Sequence, residues 1–205
     1  MKLNLNAPFF QFINTAFDFV ILNICFILTC LPVFTIGAAL TALYTVTMAE
    51  AEDKGLPFTK TYFHTFTRCF IRSSLLFAGC ICIGALLLFC LFFWLSFEGL
   101  LALIPSVLSL AALIALVICL IYLFPLLARY ECSSRQLLFN ALFIGTSHLP
   151  ATGLFAVIFA AAGFLFKIWY PARTFMLLMG CSFLAYCFSF LFLKIFKSQE
   201  IVGHN

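Results

Sequence analysis

Charge is what this sequence has least of. Only 9% of its 205 residues are charged, 11 basic and 7 acidic, where a soluble domain carries about a quarter. So few charges cannot give a chain of this length the polar skin that folding in water needs. They also leave no basic surface on which to hold a nucleic acid, so no nucleic-acid partner is expected. Catalytic signatures are missing too. There is no GxxxxGK[ST], no HExxH and no GxSxG. His64, His148 and His204 stand too far apart for metal-ligand spacing. The 10 cysteines include no CxxC pair, and most of them, from Cys25 to Cys187, sit in apolar runs as small packing residues. No catalytic residue, metal or cofactor is expected. A cleavable signal peptide is not expected either, because Lys2 is the only basic residue before the first apolar run and further spans follow.

What is present is apolar. Hydrophobic residues make up 65% of the chain, with 29 Phe, which excludes disorder. The expectation is an all-α polytopic transmembrane bundle forming a single integral membrane domain over residues 1–205. Residues 73–97, 104–128, 146–166 and 174–193 each supply the roughly 20 apolar residues that a crossing needs. The first apolar run is too long for one span and is broken by Pro32 and Gly37, which disfavour helix and permit a tight turn. It reads as two helices, 9–31 and 36–53, giving six in all. A five-span reading keeps the run whole. The six-helix threading puts Lys2, Lys54, Lys60, Arg68, Arg72, Arg129, Arg135, Lys194 and Lys197 on one side. Only Lys167 and Arg173 fall on the other, as the positive-inside rule requires. Both termini are then cytoplasmic, and the 31–37 turn nears the outer face.

Four patterns are candidates for function. Gly37, Thr41 and Thr45 recur at intervals of four on the second helix, and Gly153, Ala156, Ala160 and Gly163 form a similar stripe on the fifth. Small residues at such spacing let helices approach closely in lipid. Leu40, off the first seam, is expected to face lipid. Asn14, Asp18 and Asn23 make a polar strip along the first helix. It is either an intramembrane substrate or proton site, or an interfacial acid with polar neighbours. Glu131 and Arg135, with the acid first, suit an ordinary helix-end pair. Within 54–72, Lys60, His64, Arg68 and Arg72 form one ladder and Phe58, Tyr62, Phe66 and Phe70 another, offset by two residues. Two residues turn a helix by about 200°, so the ladders occupy opposite faces. Such a helix belongs at the cytoplasmic membrane surface. Its aromatic face lies either in lipid or on the bundle, and its basic face is open to a partner or to anionic lipid.

These residues also carry a resemblance. The stretch Leu31-Pro32-Val33-Phe34-Thr35-Ile36-Gly37-Ala38-Ala39-Leu40-Thr41-Ala42-Leu43-Tyr44 resembles the signature of the YesL-like family of bacterial membrane proteins. Phe124-Pro125-Leu126-Leu127-Ala128-Arg129-Tyr130-Glu131 is similar to that family's second signature, and Gln136 to Leu142 and Leu149-Pro150 fit in order and spacing. The resemblance implies a multi-pass protein of the bacterial plasma membrane with an accessory role in carbohydrate uptake or use, beside a sugar-transport complex. It assigns no catalytic or binding residues. The leading expectation is therefore a non-enzymatic assembly or regulatory component. A small transporter or channel acting on its own is the alternative.

Overall fold

Pro32 sets the first landmark. In the computed structural model of the chain, which describes residues 8–97, 99–130, 133–168 and 170–202, helix α1 runs Pro8–Cys30. Pro32 follows in extended backbone, φ −76° and ψ 118°, where its ring bars the preceding residue from helix. A 3-10 turn, Val33–Thr35, leads into α2, Ile36–Ala51. The Thr35 hydroxyl donates to the Pro32 carbonyl at 2.6 Å and also lies against the Thr29 carbonyl, serving the open end of α1. The end of α2 is a Schellman closure. The Lys54 amide donates to the Ala49 carbonyl at 3.0 Å and the Asp53 amide to that of Glu50 at 2.9 Å, with Asp53 left-handed at φ 52°.

After Pro57 the chain departs from expectation. The loop helix at 54–72 and the span at 73–97 are one unbroken helix, α3, Phe58–Leu95. At about 1.5 Å per residue its 38 residues make a rod of about 57 Å. That is nearly twice the ~30 Å hydrocarbon core of a bilayer. The basic segment therefore does not lie flat as a separate helix. It is continuous with the 73–97 segment, because no proline or glycine interrupts residues 58–78.

Helix α4, Leu100–Arg129, returns antiparallel to α3, with Gly84 against Leu116 and Phe77 against Phe124. The expected 146–166 helix is divided differently. Helix α5, Ser134–Ser147, ends at a kink on His148, and α6 runs Leu149–Ile168. The Ser133 amide donates to the Gln136 side chain at 3.3 Å and fixes the start of α5. The expected 174–193 helix falls inside α7, Tyr170–Phe175, a π-helical turn, Met176–Gly180, and α8, Cys181–Val202, which follow one another directly. No strand occurs among the described residues. Lys2 and Glu131 lie outside them, and with Glu131 the expected pair with Arg135.

Part of the phenylalanine packs the core. Phe155 stacks on Phe192 at 4.7 Å and meets Phe188 edge-on at 4.9 Å, while Tyr44 and Tyr122 close on Phe192 at 5.6 and 5.5 Å. Around this core the surface is oily. Leu86, Phe89, Phe92, Leu101, Leu108 and Phe164 are 62% to 86% exposed, a surface that lipid tolerates and water does not. Five helices are long and apolar enough to cross a membrane, and Asn14–Cys30 is a shorter apolar helix. The protein is an all-helical, multi-pass membrane type of chain.

One placement overturns an expectation. The 31–37 turn does not reach the Phe97 end of the 73–97 segment. Phe34 packs on Phe70 at 6.5 Å, and Gly37 lies against Ser73 and Phe77. The α1–α2 hairpin thus stands beside the basic half of α3, held by the aromatic ladder that α1 covers.

Candidate functional site

The second-helix seam is a close approach. At Gly37 an added Cβ would stand 2.5 Å from the Ser73 carbonyl oxygen and 2.8 Å from Phe77 Cβ. One turn on, the Thr41 and Ser73 hydroxyls meet at 3.1 Å with both residues buried. Thr45 continues the line, half-buried, its hydroxyl donating to the Thr41 carbonyl at 2.9 Å. Leu40 is half-buried. It borders an apolar cavity of about 230 Å³ with Tyr44 and Phe77.

The fifth-helix stripe is different. Gly153, Ala156, Ala160 and Gly163 are all exposed on α6, and an added Cβ at Gly153 or Gly163 would meet nothing within 4 Å. The reason is helical phase. Thr152 and Phe155 face the bundle, where the Thr152 hydroxyl meets Tyr122 at 3.0 Å, so the small residues look outward. The tight glycine in this region is one that the sequence reading passed over. Gly145 on α5 would place a Cβ 2.2 Å from Ile118 Cγ2. Its spacing of four from buried Ala141 was the available signal.

The polar strip of α1 separates by position. Asn14 and Asp18 are exposed, whereas Asn23 is fully buried. Asn23 Oδ1 accepts the Ser182 backbone N–H at 3.1 Å, immediately after the π turn, and the Ser182 hydroxyl donates to the Phe19 carbonyl at 2.9 Å. A π turn disrupts the regular backbone ladder, and Asn23 serves a donor there. Ser189 donates similarly to Thr47, at 2.8 Å between α8 and α2. These hydroxyl and amide contacts fasten helices together as polar residues do in lipid.

On α3 the two ladders separate as the periodicity demands. Lys60, His64 and Arg68 are exposed and Arg72 is half-buried, its Nε donating to Ser134 Oγ at 3.3 Å. The aromatic face is packed on the protein itself. Phe58 meets Phe19 at 5.3 Å, and fully buried Tyr62 shares a 2.6 Å hydrogen bond with Thr29.

Near the same end, Glu52, which caps α2, joins two cations. Its carboxylate is 2.6 Å from Lys54 and 2.8 Å from Arg129 at the end of α4. Hydrogen bonds from Lys54 and then from Arg129 hold its pKa below the usual carboxylate range. No group of His, Cys, Asp and Glu that could hold a metal occurs among the described residues.

A family model described as a protein of unknown function, DUF624, matches residues 19–90. That segment contains the second half of α1, all of α2 and most of α3. No curated protein and no solved structure matches the chain.

Proposed function

We propose that the chain belongs to the YesL-like family. On this reading it is a non-enzymatic accessory component, for assembly or regulation, of a bacterial carbohydrate-uptake system in the plasma membrane. The observation that carries the reading is the N-terminal half of α3. Its aromatic face is locked onto α1, while Lys60, His64 and Arg68 stand exposed on a rod continuous with a span. That is the form of a rigid docking arm, able to pass a force or position between a partner and the bundle. The positive-inside rule puts the arm and both termini in the cytoplasm. Its basic face then takes an acidic surface of the transport complex or anionic lipid.

Buried Asn23 beside the π turn favours the second reading, a small transporter or channel, because transporters use interrupted helices and buried polar groups to hold substrate. The test has two arms. Lys60→Glu with Arg68→Glu should abolish carbohydrate-dependent growth of the native strain at unchanged membrane abundance; full growth would remove the docking role. Uptake of sugar by vesicles holding the purified protein alone would establish the transporter instead.

A further inference from the structure

The docking arm leaves a second charged feature of the bundle without a role. Between the ends of α2 and α4 and the side of α8 lies an open cleft of about 710 Å³. Lys54, Arg129, Lys194 and Lys197 line it, with Glu52 the one acid among its lining residues. That acid is already engaged by Lys54 and Arg129. It pins the Arg129 guanidinium, which also lies 5.9 Å from the Tyr130 ring centre. Lys194 and Lys197, one turn apart on α8, have no acidic partner among the described residues. Among the described residues the cleft therefore carries an uncompensated positive charge. Beside the lysines stand Phe190, 49% exposed, and Leu193, an apolar wall running up α8 toward its oily part.

A cation cluster alone would suit any phosphate. The wall narrows the choice. A phosphodiester held by Lys194, Lys197 and Arg129 would leave its apolar chains lying along Phe190, where an inorganic phosphate has nothing to cover that ring. We infer that this cleft binds the phosphate headgroup of an anionic lipid. The assignment rests on the proposed placement of the basic end at the inner membrane surface and not on the accessory role.

The experiment uses the full-length protein in a neutral detergent. Its thermal midpoint is followed as dioleoylphosphatidylglycerol is added, with dioleoylphosphatidylcholine and inorganic phosphate as parallel additions. The wild type should be stabilised in a saturable way by the anionic lipid alone. Lys194→Gln with Lys197→Gln should weaken that response about 25-fold in apparent affinity, each cation near an anionic surface contributing about fivefold. Arg135→Gln with Lys167→Gln removes the same charge outside the cleft and outside the docking arm, and should keep the wild-type response. Equal weakening in both double variants, or in neither, would overturn the site. Inorganic phosphate reproducing the shift would overturn the lipid assignment. Because binding is read in detergent, a failed growth test of the accessory role leaves this result standing, and the converse also holds.

Discussion

Adding one methyl group at Gly37 should separate two helices. The new carbon would stand 2.5 Å from the Ser73 carbonyl oxygen, where comfortable carbon–oxygen contacts are about 3.3–3.6 Å. The oxygen belongs to the α3 backbone and the other neighbour is Phe77 Cβ, so no flexible side-chain end can move aside. The helices must part by about 1 Å, and overpacking of that kind costs about 1–3 kcal/mol. Parting also stretches the 3.1 Å contact between Thr41 and Ser73 toward loss. Inside a membrane bundle such a bond contributes about 0.6 kcal/mol, up to about 1.7. Alanine returns less than the ~1 kcal/mol of its helix propensity, because Gly37 lies in the first turn of α2. The balance is a loss of about 2 kcal/mol. At about 2–4 °C per kcal/mol, the usual scale for 150–250 residues, Gly37→Ala should lower the thermal midpoint in mild detergent by about 4–8 °C. Gly79→Ala, where a Cβ meets nothing within 4 Å, is the control and should not lower it. A Gly37→Ala midpoint matching that of wild type would refute the reasoning.

The same assay serves three further expectations. Asn23→Leu, which leaves the buried Ser182 N–H without its acceptor, should cost about 1–3 kcal/mol. Asn14→Leu on the exposed part of the same helix should cost nothing, and equal losses would detach Asn23 from the π turn. Gly145→Ala should destabilise by about 1 kcal/mol or more through its contact with Ile118. Gly163→Ala should be neutral or mildly stabilising, and a reversal of that order would mean that α6 turns its small face inward. The carboxyl of Glu52, depressed by Lys54 and Arg129, stabilises the fold above the unfolded value near 4.5, and that contribution disappears as pH falls through the lower folded value. The wild-type midpoint should therefore drop more steeply below about pH 4.5 than that of Glu52→Gln; parallel acid limbs would show that the pair adds no stability.

Local backbone chemistry was legible in the sequence, and partnership was not. Pro32 broke the first apolar run within two residues of where α1 ends, because a proline acts on its immediate neighbours and needs no tertiary context. The opposition of the Lys60 and Phe58 ladders was equally readable, since helical phase is a property of the chain alone. The two small-residue stripes show where this stops. Gly37 and Gly153 each head a stripe of small residues at helical spacing, yet one is against Ser73 and the other is open. Spacing fixes which residues share a face, while the large side chains decide which face is turned inward. On α6, Phe155 wins that contest by stacking on Phe192, a residue far along the chain. Asn23 was visible as a polar residue in an apolar helix, but its partner is a backbone amide freed by a π turn that no residue type announces. The basic cleft is of the same kind. Lys54, Arg129 and Lys194 come from the connection after α2, the end of α4 and the side of α8, which the sequence placed on one side by charge. Their convergence on a single cavity depends on how α2 and α8 cross, and that crossing is set by Thr47, Ser189 and the aromatic core.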